Sequence, residues 1–138
     1  MDVARWTPRK KDSLWWGFTI TWEDEIKAEL AETLNAGDPG INAINSASVL
    51  IVSLRQLKKS DCDEAAGDLR ENRVISDLAS ATENMAITAR GLGIDIARIA
   101  LFNQNKVGTI LAVPNGYCAV EMLALGYPDG EVKAPLRK

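Results

Sequence analysis

The sequence predicts a mixed α/β or α+β fold with a small central sheet. Apolar or β-branched runs alternate with amphipathic stretches in the order β-α-β-α-β-α-β, which calls for helices packed on a sheet. A chain of 138 residues, 46% apolar and 25% charged, also has the size and make-up of one globular domain with its own core.

The elements follow in order. Met1 to Ser13, "MDVARWTPRKKDS", reads as a basic arm or loop. "LWWGFTIT" is aromatic and β-prone, so a strand is expected over Trp16 to Thr21. A helix comes next. Thr21 and Asp24 have the spacing of a capping box, and Ile26, Leu30 and Leu34 recur every four residues. Asn35-Ala36-Gly37 ends it. "DPGINAINSA" reads as a loop or a weak helical turn. Ser48 to Leu54, "SVLIVSL", is continuously apolar and suits a strand buried on both faces. The polar stretch "RQLKKSDCDEAAGD" reads as a loop.

From about Leu69 to Leu92 the period turns helical, with Ile75, Leu78, Thr82, Met85 and Ala89 on one side. Gly91-x-Gly93 follows this helix, precedes a strand and lacks a third glycine. That is the wrong order for a dinucleotide fingerprint, and the pair reads as a helix C-cap. A strand from Ile94 onward, a short helix capped by Asn103 or Asn105, a Pro114-Asn115-Gly116 turn and a strand through "YCAVEMLALGY" complete the chain.

Several function classes are excluded by composition. The chain has no histidine, which removes Ser-His-Asp and Cys-His catalysis. Cys62 and Cys118 alone cannot furnish a zinc site, and Cys62 between two aspartates matches no common metal loop. The net charge of −3 gives no general attraction for nucleic acid. No apolar run is long enough to span a membrane, no signal peptide is visible, and two distant cysteines fit a reducing cytoplasm. Any chemistry is then expected to be carried by a cofactor acting on a small-molecule substrate.

Some residues have two readings. Trp6, Trp15, Trp16 and Trp22 serve a core or a subunit contact, or one of them stacks on a flat ligand. The arm "RWTPRKK" and the terminal pair Arg137-Lys138 are either solvated cations or grips for a phosphate. Asp95 bonds backbone amides after a helix end. Arg98, inside an apolar strand, marks either a sheet edge or a group facing a ligand.

From Glu83 to Pro128 the sequence resembles the nitroreductase family of FMN-dependent oxidoreductases. The likeness rests on Glu83-Asn84, then Gly91-Leu92-Gly93-Ile94-Asp95, then Ile99 to Phe102, then Val113-Pro114-Asn115-Gly116-Tyr117, and finally Leu125-Gly126-Tyr127-Pro128. Upstream, Ala4-Arg5-Trp6-Thr7-Pro8 through Trp16-Gly17-Phe18 is similar, without a gap, to the family motif that precedes the first strand. The resemblance implies an α+β three-layer sandwich with a mostly antiparallel sheet flanked by helices. It also implies a homodimer with FMN in the groove between subunits and NAD(P)H as reductant of nitroaromatics, quinones or similar flat acceptors. On this basis Arg137, with Lys138, meets the FMN phosphate. Arg9 and Asp12 stand where the family has a flavin-binding Ser and Asn, and Ile99, Ala100 and Leu101 form the loop at the flavin edge. In that loop Ala100-Leu101 replaces the family's Glu-Gly or Gly-Ala, and Leu14-Trp15 replaces its Gln-Pro. The family's opening helix, with its Arg-Arg-Ser, has no counterpart in the sequence. Two expectations follow: a compact flavoprotein in which Arg9 replaces lost phosphate ligands, or a flavin-free relative acting as a binding or structural module.

Overall fold

The computed structural model describes residues 2–7, 16–57 and 64–130. The elements are α1 (Asp2–Arg5), β1 (Trp16–Thr21), α2 (Asp24–Ala31), α3 (Gly40–Ser46), β2 (Val49–Gln56), α4 (Glu64–Gly91), β3 (Asp95–Ile99), α5 (Gln104–Ile110) and β4 (Tyr117–Gly126). The four strands form one sheet in the order β1-β2-β4-β3, and every pairing is antiparallel. With helices on both faces this is the expected α+β three-layer sandwich.

Side chains alternate along each strand, so each central strand feeds both faces. Leu50, Val52 and Leu54 of β2 and Met122 and Ala124 of β4 join a core with Leu30, Ile44 and Val107 from α2, α3 and α5. Ile51 and Leu123 point the other way and meet Trp16, Ala4 and the Leu78, Ala81 and Met85 stripe of α4. A β-bulge opposite Ser53/Leu54 shifts the register of β4 by one residue. It lets Ala119 and Met122, three apart, face the same core.

The expected strands stand close to their bounds, while the turns and helix ends account for the differences. The Thr21 capping box is not formed. Glu23 is the N-cap of α2 without a side-chain bond, and the Thr21 hydroxyl accepts from the Glu23 amide at 3.3 Å. The helix stops at Ala31, where the Thr33 and Leu34 amides donate three residues back, to Leu30 at 3.1 Å and Ala31 at 3.2 Å, in a tighter final turn. "GINAINS" takes the helical one of its two expected forms and is a helix of seven residues, longer than a weak turn. Asp38 accepts from the Gly40 amide at 2.7 Å and satisfies one of its first free donors. β2 runs on to Gln56 and α4 begins at Glu64, so the expected loop between them is shorter at both ends. The arm contains the single turn α1. On α4, Ile75 is 40% exposed, outside the buried stripe.

The Gly91-x-Gly93 element is a helix C-cap, as expected. Ile94 donates to the Ala89 carbonyl at 2.9 Å, Gly93 donates to Arg90 at 3.0 Å, and Gly93 has a φ of +79°. That is a Schellman motif, which favours glycine at its left-handed position. α5 ends with the same two bonds, Val113 to Gly108 and Ala112 to Thr109, but with alanine at a φ of +47°.

Candidate cofactor site

The loop after β3 is the part of the expected site that the structure describes. It begins at Ile99, whose side chain is buried in the α2/α3/α5 core. A Cβ on Gly40 would lie 3.1 Å from Ile99 Cγ1 and 2.8 Å from Leu34 Cδ2, so a larger residue there would push these side chains aside and glycine lets α3 pack close to Ile99. The loop ends at Asn103. Its amide donates to the Thr33 carbonyl at 2.9 Å, and its side chain caps α5 by accepting from the Lys106 amide at 3.1 Å. Ala100, Leu101 and Phe102 thus form a short span fixed at both ends.

Within that span Ala100 and Leu101 are exposed, Leu101 by 76%, and Phe102 packs partly against the core. Among the described residues, the backbone amides of Ala100, Leu101 and Phe102 donate no hydrogen bond. Three consecutive donors without a protein partner, on an anchored and accessible loop, suit the row of oxygen and nitrogen acceptors along one edge of a flavin. β3 pairs with β4 only from Gly126 back to Met122, so no described strand covers Tyr117–Glu121 on that side.

Arg98 sits on edge strand β3, which agrees with the first of its two sequence readings. Its guanidinium bonds Glu121 at 2.8 and 3.2 Å and Glu83 at 3.0 Å. It is therefore committed to two carboxylates. Arg9, Asp12, Arg137 and Lys138 lie outside the described residues.

Asp95 accepts from the Ile96 amide at 3.1 Å, as expected, and pairs with Arg90. Trp16 is buried and stacks at a tilt with Phe18, their ring centroids 5.3 Å apart. Trp6 and Trp22 are exposed by 83% and 67%. Trp6 rims a groove of about 450 Å³ between α1 and α4, shared with Val3, Asn84, Ile87 and Thr88. Two links here had no sequence signal. Asn84 donates to the buried Thr7 hydroxyl at 3.2 Å and Glu83 holds Arg98, so the Glu83-Asn84 pair ties α4 to the turn after α1 and to β3. Among the described residues no group of histidine, cysteine and carboxylate side chains could hold a metal ion, and no helix is long and apolar enough to cross a membrane.

No family model matches the chain. A curated protein of Archaeoglobus fulgidus, named "Putative NADH dehydrogenase/NAD(P)H nitroreductase", is 23% identical over 135 residues, which cover 95% of this chain and 71% of that protein. Among solved structures, a nitroreductase family protein from Clostridium novyi superposes with a TM-score of 0.78 at 24% identity, over 92% of this chain and 70% of the other. An FMN-dependent nitroreductase from Clostridium difficile superposes with a TM-score of 0.75 at 21% identity, over 98% of this chain and 76% of the other. The chain has the nitroreductase fold and is similar in sequence to a curated protein named as an NADH dehydrogenase/NAD(P)H nitroreductase.

Proposed function

We propose that this protein is an FMN-dependent oxidoreductase that passes electrons from NAD(P)H to a nitroaromatic, quinone or similar flat acceptor. The observation that carries the reading is the anchored loop at Ala100–Phe102, with its unpartnered amides at the position where the sequence resembles the family's flavin-edge loop. The nitroreductase fold and the curated relative support it.

Bound FMN would supply the redox chemistry, accepting a hydride from the nicotinamide and giving two electrons to the acceptor. For a quinone the balance is closed: NAD(P)H loses a hydride and becomes NAD(P)+, and the quinone gains that hydride equivalent and one solvent proton to become the hydroquinone. The chain's own residues bind and orient. Ala100 to Phe102 offer amide donors, and Ile99, Gly40 and Asn103 hold those donors in place. The resemblance gives the phosphate to Arg137, Lys138 and Arg9, with Arg9 offsetting Asp12. The working unit is a homodimer in the cytoplasm with the flavin between subunits. Exposed Trp6 and Ile87 give it apolar surface to bury.

The test is a visible absorption spectrum of the pure protein before and after soaking with FMN and desalting, with the mass measured by light scattering on the same sample. A retained flavin band in a particle of twice the chain mass is the expected result. No band at saturating FMN would overturn the reading and leave the flavin-free relative in its place.

A further inference from the structure

We propose that Leu101 selects neutral, planar, apolar acceptors at this loop; the inference rests on the flavin reading above. A single exposed leucine is ordinary on a protein surface. This one differs because its loop is pinned by buried Ile99 on one side and by the Asn103–Thr33 bond on the other, so the backbone that presents it is held at both ends. It is held 76% exposed next to the free amides. A ligand that covers it gains the burial of a leucine without ordering any new segment of chain.

The charge distribution narrows the ligand class. Ile99 through Asn103 carry no ionisable group. The charge before the loop, Arg98, is matched by Glu121 and Glu83, and the next after it, Lys106, is an exposed residue inside α5. A negatively charged acceptor lying on Leu101 would lose water and meet no counter-charge on the loop. A neutral ring would lose little and gain apolar contact. The loop therefore favours uncharged quinones or nitroarenes over their sulfonated or carboxylated analogues.

The experiment compares wild type, Leu101→Ser and Leu101→Met as flavin-loaded, oxidised protein without reductant. Menadione and naphthoquinone-4-sulfonate are each titrated in, and the change in the bound-flavin band gives an equilibrium affinity, separate from turnover. Leu101→Ser should weaken menadione binding about 10-fold while changing the sulfonate far less, and Leu101→Met should retain the wild-type preference. Equal affinities in all three proteins, or a parallel loss for both ligands, would overturn the role of Leu101 and leave the flavin reading standing. Failure of all three proteins to take up FMN would remove both.

Discussion

The two faces of the sheet follow different rules. The face under α2, α3 and α5 is the more apolar of the two. Leu30, Ile44, Leu50, Val52, Val107 and Met122 are each 0% exposed, and the charge buried on this side, Lys27 of α2, is satisfied at the end of α3 by donating to the Ala47 carbonyl at 2.6 Å. The face under α4 is built from fewer large residues and carries polar ones: Ser53, Thr82 and Glu121 are all buried there, with Arg98 at the margin. The first face supports Ile99 and hence the candidate loop, and a site that needs donors held in place is best mounted on a close-packed core. The second face relies on specific pairings, which contribute order but little net stability once desolvation is counted. The loop is thus mounted on the side with the larger apolar core, while the buried carboxylate of the strands, Glu121, and its partner Arg98 lie on the other.

The largest expected effect breaks the apolar face. Met122 is fully buried and lies opposite both Val52 and Ile99 in the sheet register. Met122→Ala leaves a cavity beneath the loop and should cost about 3 kcal/mol, read from the midpoint of urea unfolding. A loss below about 1 kcal/mol would mean that the face collapses around the void and is not a stiff support.

A smaller effect is expected on the other face. Arg98→Met removes the partner of Glu121, whose side chain is only 10% exposed, and keeps the aliphatic stem. Breaking a buried pair costs about 3–5 kcal/mol, but the Arg98 side chain is 40% exposed and water reaches the pair, so about 2 kcal/mol is expected at neutral pH. Adding Glu121→Gln should restore part of it, because the stranded charge is then gone. If the double variant is as unstable as the sum of the singles, the two residues act independently and the pairing account of this face fails.

The difference between the faces also sets what could be read from the sequence. The apolar run from Ser48 to Leu54 and the stripe of Leu78, Thr82, Met85 and Ala89 were plain, because burial repeats at the period of the element, while Ile75, expected on the same stripe, is 40% exposed. The Schellman end of α4 was plain because a glycine supplies the positive φ. The matching end of α5 was hidden, since alanine stands at that position and announces nothing. α3 was legible only as a loop or a weak helical turn, because Gly40 looks like a breaker in sequence while its missing Cβ serves close contact with Leu34 and Ile99. The loop at Ile99 to Leu101 was found only through resemblance. Its defining property, amides left without partners between two anchors, belongs to the backbone and leaves no residue signature. The pairing of Arg98 with Glu121 joins residues 23 apart, and no local spacing marks it.

The smallest expected effect sharpens the contrast most directly, because it separates a polar face that is satisfied from one that is not. Ser53 lies in β2 opposite Glu121 and Phe18, on the α4 side of the sheet, and is 0% exposed. Its hydroxyl is the one buried side-chain oxygen or nitrogen among the described residues that has no hydrogen-bond partner. A hydroxyl stripped of water and given nothing in return is unfavourable, and alanine occupies the same space without it. Ser53→Ala should therefore raise stability by about 1 kcal/mol, seen as a higher urea midpoint with an unchanged slope. A loss of stability would instead show that a buried water bridges Ser53 to its neighbours, since removing a bridging partner strands the water's other bonds. The α4 face would then be as fully satisfied as the apolar one, and the difference between them would lie in the kind of bonding and not in its completeness.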